Sequence, residues 1–201
     1  MHIFKHCCLF IIFMLLLTGC AAQDKAISHE QISIEPYNIS EKESLLISKT
    51  GVGNIEFFKL NGTLAEADDL QFSVEVYEKG KLKEELLKSW GVIEKSYRDT
   101  LLSFGISDFN ENHPFKLLSG IPSGLATTTY PINVTIFSFN NLIDKKITLT
   151  KNKPVYLVAW LGTSKNELGS AGSENGELPA GLEEAELSFV YKVLWTDQGT
   201  E

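Results

Sequence analysis

Beyond its first twenty residues the chain contains neither cysteine nor methionine: the cysteines are Cys7, Cys8 and Cys20, and the methionines Met1 and Met14. From Ala21 onward there can be no internal disulfide, no thiolate zinc site, and no soft sulfur ligand for copper or an iron–sulfur cluster. Histidine is nearly as scarce, with only His29 and His113 in that stretch. A bilayer-spanning helix needs about 20 apolar residues, and the longest apolar run, Cys7 to Leu17, falls well short of that. Basic charge is also in deficit, 18 Lys and Arg against 26 Asp and Glu, giving a formal net charge of −8. A body of that sign is repelled by nucleic acid and by anionic lipid headgroups, and its acidity reads first as a solubilising surface.

What the N-terminus does have is Met1-His2-Ile3-Phe4-Lys5-His6, then the apolar run, then Thr18-Gly19-Cys20. A short basic region, about ten apolar residues and a small-residue exit form the pattern of an export signal. Leu17-Thr18-Gly19-Cys20 resembles the lipobox of bacterial lipoproteins. The resemblance implies cleavage after Gly19, a diacylglyceryl thioether on Cys20, and residence on the extracytoplasmic face of the cell membrane. Two acyl chains hold stably at about 0.8 kcal/mol per buried CH₂, whereas one holds only marginally. Loss of Lys5 with the signal would take the formal charge from −8 to −9. Residues 20–30, small and polar, read as a tether, and a domain is expected from Gln31 to Glu201. That length favours one domain able to bury its own core without staples. No cofactor is implied beyond the diacylglycerol on Cys20.

The remaining pattern is mainly β. Leu70, Phe72, Val74 and Val76 alternate with polar partners, as do Leu187, Phe189, Tyr191, Val193 and Trp195, whose aromatic side is expected to face the core. Tyr97–Ile106, Ile132–Phe137, Ile147–Thr150 and Val155–Leu161 read as further strands, the last two as a hairpin-like unit about Lys151-Asn152-Lys153-Pro154. Ser44–Lys49 and Asn54–Leu60 read as strands joined through Gly51-Val52-Gly53, a turn rather than a phosphate cradle, because no third glycine or helix follows. Lys81–Trp90 is ambiguous: Leu82, Leu86 and Trp90 fall at helical spacing, but the Lys79-Gly80 turn just before it favours a returning strand. The expected fold is an antiparallel β-sandwich or a partly closed barrel, or α+β if Lys81–Trp90 is helical.

Gly162–Gly181 stands apart as a long excursion rich in Gly, Ser and Glu. Loops of that length are functional or disordered. Leu168 and Leu178 are its only large apolar residues, and so the expected anchors for a partner, with the loop itself dispensable to stability.

Catalytic chemistry finds little support. Gly120-Ile121-Pro122-Ser123-Gly124 has its serine one place late for a hydrolase elbow and reads as a turn, while a Ser-His-acid site would depend on His113. Asp108-Phe109-Asn110-Glu111-Asn112 opens like a calcium loop, yet His113 stands where Gly is required and Ser119 where the bidentate Glu belongs, so no metal site is expected. Glu183, Glu184 and Glu186 with Asp68 and Asp69 could supply paired carboxylates, though such clusters are more often solvated surface. Three functions remain open: a non-catalytic binding or envelope-accessory lipoprotein with an envelope protein as partner, a solute-binding lipoprotein of a transporter, and a carboxylate-dependent envelope hydrolase. Elimination favours the first. A deep acidic pocket would favour the third and a two-lobed hinge the second.

Overall fold

The computed structural model describes residues 31–90, 94–107, 115–173 and 175–197. Strand alternation organises them into two antiparallel sheets. Sheet A has the order β7-β6-β5-β2-β1-β9, from β1 (Gln31–Pro36), β2 (Val52–Thr63), β5 (Ser96–Ser107), β6 (Phe115–Ile121), β7 (Gly124–Tyr130) and β9 (Ile147–Thr148). Sheet B has the order β4-β3-β11-β10-β8, from β3 (Asp69–Glu78), β4 (Lys81–Ser89), β8 (Ile136–Asn141), β10 (Pro154–Thr163) and β11 (Leu187–Thr196). The sheets face each other as an open sandwich rather than closing into a barrel.

The inward-pointing residues of both sheets form the main core. Ile32, Ile34, Phe58, Leu60, Leu102 and Phe104 from sheet A meet Phe72, Val74, Trp160, Phe189 and Tyr191 from sheet B, all of them almost wholly removed from solvent. Phe104 stacks on Tyr191 at 5.4 Å, and Phe115 packs on Trp160 at 5.0 Å and on Phe189 at 5.5 Å. Aromatic pairs of this kind add about 0.5–1.5 kcal/mol each beyond the area they bury.

Sheet B is covered on its other face as well. The aromatic side of β11 faces the core as its alternation requires, but Ser188 and Val190 on the opposite side are also buried. The cover is the excursion between β10 and β11, whose Ala171, Leu182 and Ala185 form a second apolar cluster with Tyr77, Leu142, Tyr156, Ala159, Leu161 and Val190. It is held by Gly172 and Ala180 bridging one another and by the Tyr156 N–H donating to the Gly176 carbonyl at 2.8 Å. Gly176, at φ +72, lies so close that a Cβ would stand 2.7 Å from Val155. The excursion is a packed flap, contrary to its expected independence of the fold, because small residues suffice to fill the shallow outer face of a sheet.

Three other expectations are corrected. Ser44–Lys49 is not a strand: Glu41–Ile47 forms the one helix of the described residues, α1, with Ser40 as N-cap. The Ser40 hydroxyl accepts from the Glu43 N–H at 3.3 Å and the Glu43 carboxylate accepts from the Ser40 N–H at 2.7 Å, satisfying two orphan donors reciprocally. Ile132–Thr135 is a strap ahead of β8, which starts only at Ile136. β9 and β10 do not pair with each other, since β9 joins β1 in sheet A while β10 lies between β11 and β8 in sheet B. By contrast, Lys81–Ser89 is the returning strand favoured from the Lys79-Gly80 turn, Gly51 turns the chain at φ +76, and residues 121–124 turn between β6 and β7.

The strands run from pole to pole. Gln31 pairs with Thr63, Thr63 with Ser96, and Asp69 with Thr196, which places the start of β1 at one pole. At the opposite pole lie the β3–β4 turn, the start of β8 and the end of β7. No helix among the described residues is long and apolar enough to cross a membrane.

Candidate functional site

Three places in the sandwich concentrate polar chemistry. On the outer face of sheet B, Lys192 of β11 reaches Glu75 of β3 at 2.5 Å and also contacts Glu85 of β4, while the Tyr77 hydroxyl donates to Glu75 at 2.5 Å. Burial is the largest single influence on Glu85 and raises its pKa, but hydrogen bonding and charge from Lys192 and Lys88 outweigh it and leave the carboxyl below its ordinary range. Burial likewise pulls Lys192 down, and its two carboxylate partners carry it above the usual lysine value. Tyr77 is driven up by burial first and by its bond to Glu75 second. Each charge has its counter-charge and each shift favours the form already present, so the cluster locks the β4–β3–β11 order and holds no poised acid or base.

At the Gln31 pole, Asp68 is buried to 2% exposure and accepts from the Trp195 indole at 2.8 Å and from Lys151 at 2.7 Å. Lys95 adds a bond to the Asp68 backbone carbonyl at 2.6 Å. This hub ties the β2–β3 connection, β11 and the β9–β10 connection together.

The carboxylates singled out in the sequence do not assemble. Asp68 and Asp69 sit at the Gln31 pole, and Glu183, Glu184 and Glu186 at the other end of β11. At about 3.4 Å per residue the length of β11 separates the groups by roughly 31 Å, whereas glycosidase carboxylates stand about 5–10 Å apart. Glu186 accepts from the Ser164 N–H and hydroxyl, which hold its pKa down. Leu168 is packed against the outer cluster, and Leu178 stays 46% exposed. No group of three or more His, Cys, Asp and Glu converges as metal ligands among the described residues. Cys20, His29, His113 and the segment 108–112 lie outside the described residues.

At the pole opposite Gln31, a crevice of about 510 Å³ opens between the β3–β4 turn and the strap leading to β8. Lys79, Lys81 and Lys83 line one side, and Tyr130, Pro131, Asn133 and Val134 the other. Lys83 pairs with Glu78 at 2.5 Å and bonds the Tyr130 hydroxyl at 3.3 Å; these contacts, Glu78 first, raise its pKa. Tyr130 donates to Glu84 at 3.1 Å, and its ring rests edge-on against Phe189 at 5.1 Å, so the crevice wall is fixed to the core. The same pole exposes Leu45 and Leu46 of α1, Leu82 of β4, and Ile136 and Phe137 of β8. Sequence reading passed over this site, treating Lys79-Gly80 only as a turn and leaving Tyr130 unassigned. The sole signal was three lysines within five residues of an acidic chain. Comparison with protein-family models, curated proteins and solved structures finds no match.

Proposed function

We propose that this chain is a lipid-anchored extracytoplasmic binding protein, held to the cell membrane through Cys20 and acting on an envelope partner without catalysis. The observation that carries the reading is the polarity of the sandwich. The chain enters at the Gln31 pole, while the crevice and most of the exposed large apolar side chains lie at the other. Anchoring through residue 20 keeps the first pole near the bilayer and turns the second outward. Five of the nine large apolar side chains exposed among the described residues lie at that pole, and a concentration of exposed apolar groups marks an interaction surface.

The test has two parts in intact cells. The native chain should incorporate a clickable fatty acid and Cys20→Ser should not; equal labelling of both overturns the anchor. A photo-crosslinker placed at Phe137 should give a discrete adduct and one at Ser96 none. The reverse pattern overturns the orientation.

A further inference from the structure

We propose that the crevice beside the β3–β4 turn is a binding site for an acidic, extended peptide segment, with Lys79 and Lys81 taking its carboxylates. The inference rests on the reading just given, that the chain works by holding a protein partner, and it names the chemistry of that partner.

Charge accounting within the crevice comes first. Lys83 is neutralised by Glu78, and Glu186 is engaged by Ser164. Lys79 lies near enough to help lower the Glu186 pKa, yet neither Lys79 nor Lys81 forms a direct ion pair among the described residues. The lining thus sets three lysines against the carboxylates of Glu78 and Glu186, an excess of one positive charge, in a chain whose net charge is −8. With a Debye length of about 8 Å at physiological salt, the lysines act locally despite the acidic body.

The cations are also held in place. Lys79 has φ 50 and its N–H donates to the Glu186 carbonyl, while Gly80 at φ +76 packs so closely on Glu183 that a Cβ would stand 3.1 Å from it. A turn fixed on both sides presents Lys79 and Lys81 with little ordering left to do on binding.

The surroundings select a peptide over a compact anion. The strap that forms the far wall runs from Asn133 to Ile136 in three residues, a span of at most about 11 Å. It ends at β8, an edge strand paired only with β10 and free of charged side chains, Ile136-Phe137-Ser138-Phe139-Asn140-Asn141. Proteins ordinarily blunt such an edge with Lys, Pro or a bulge, and an unblunted one is a template for an added strand. Ile136 and Phe137, 37% and 40% exposed, offer apolar contact where the strap meets it. An extended segment crossing this pole can set carboxylates on the lysines and an alternate apolar side chain against Phe137.

The probe is a fluorescent hexapeptide alternating Leu and Glu, titrated by anisotropy into the full chain in nonionic micelles, beside the same peptide with Gln for Glu. The Glu peptide should bind, weaken at least tenfold in the exposed-site variant Lys79→Asn/Lys81→Gln, and weaken with added salt. Phe137→Ser should weaken it several-fold without abolishing the salt dependence. Equal affinity for the Gln peptide, an unaltered double variant, or full displacement by millimolar inorganic phosphate overturns the proposal. Peptide binding by the native chain, together with equal fatty-acid labelling of the native and Cys20→Ser chains, leaves this site standing while the anchored reading falls. The opposite pair of results reverses that outcome.

Discussion

Replacing Leu168–Leu178 with a short Gly-Ser bridge separates a packed flap from a free loop. The exchange removes Ala171, the half-buried Leu168 and the Gly176 carbonyl that accepts from Tyr156. It also loosens the cover over Leu142, Tyr156, Ala159, Leu161 and Val190. Uncovering on the order of 100 Å² of apolar surface costs about 2.5 kcal/mol at 25 cal/mol per Å². The lost backbone hydrogen bond adds about 1 kcal/mol. Shortening the loop returns only about 0.5 kcal/mol, because closure entropy grows logarithmically with length. A net loss of about 3 kcal/mol follows, which for a domain of this size lowers Tm by roughly 6–12 °C. Thermal unfolding followed by near-UV circular dichroism reads it directly, with the exposed-site change Leu178→Ser as a control that should leave Tm in place. A shift of less than about 2 °C for the bridge would refute the reasoning and return the excursion to the status of a dispensable loop.

Asp68→Ala should cost about 2–4 kcal/mol in urea unfolding, since it leaves the buried Trp195 N–H without its acceptor, and Asp68→Asn should cost about half as much because an oxygen remains for the indole. Acid unfolding should depend on Glu85, whose pKa in the fold lies below its ordinary value of 4.5. The stability it confers is complete above that unfolded value and is lost as pH falls through the lower folded one, so Glu85→Gln should flatten the stability profile in that window. A Glu85→Gln chain with the same acid slope as the native one would show that the Lys192 contact contributes nothing.

Of the strands that were legible, β3 and β11 carry long apolar alternation and β5 is an apolar-rich run between polar clusters. The elements that were ambiguous or missed have physical reasons. β4 reads at helical spacing because its alternation is broken twice: the register with β3 slips between Val76 and Tyr77 and between Phe72 and Val74, and Leu87 takes φ 50. The helix α1 has no buried residue, so no apolar stripe announces it, and only the Ser40…Glu43 capping box did. β7 is a run of Thr whose partner β6 supplies the apolar side chains. The Glu75–Glu85–Lys192 cluster and the Lys83–Tyr130 wall bring together residues 107 and 47 positions apart, and no local pattern encodes such pairs.

The pole-to-pole course of the strands also constrains how the open β8 edge can be used. A second copy adding β8 to β8 in the antiparallel sense, through a two-fold axis normal to the sheet, would turn its Gln31 end toward the opposite pole. Under the proposed anchoring through residue 20, two chains in one membrane would favour presenting that end to the same side, since residues 20–30 span at most about 40 Å when fully extended. With the proposed anchor, edge-to-edge pairing of neighbours on one membrane requires one of the two tethers to extend along the full pole-to-pole length, an ordering cost that disfavours self-association of the edge. An incoming peptide carries no such restriction, since its direction along β8 is set only by its own sequence and by where its carboxylates meet Lys79 and Lys81. An edge left uncharged is then tolerable in the anchored chain and hazardous in a released one. Cys20→Ser protein accumulating in solution should self-associate through β8 as its concentration rises, and Ile136→Lys, which places a charge at an exposed position of that strand, should keep it monomeric by sedimentation. A released chain that stays monomeric without the added charge would show that β8 is protected by something other than the anchor.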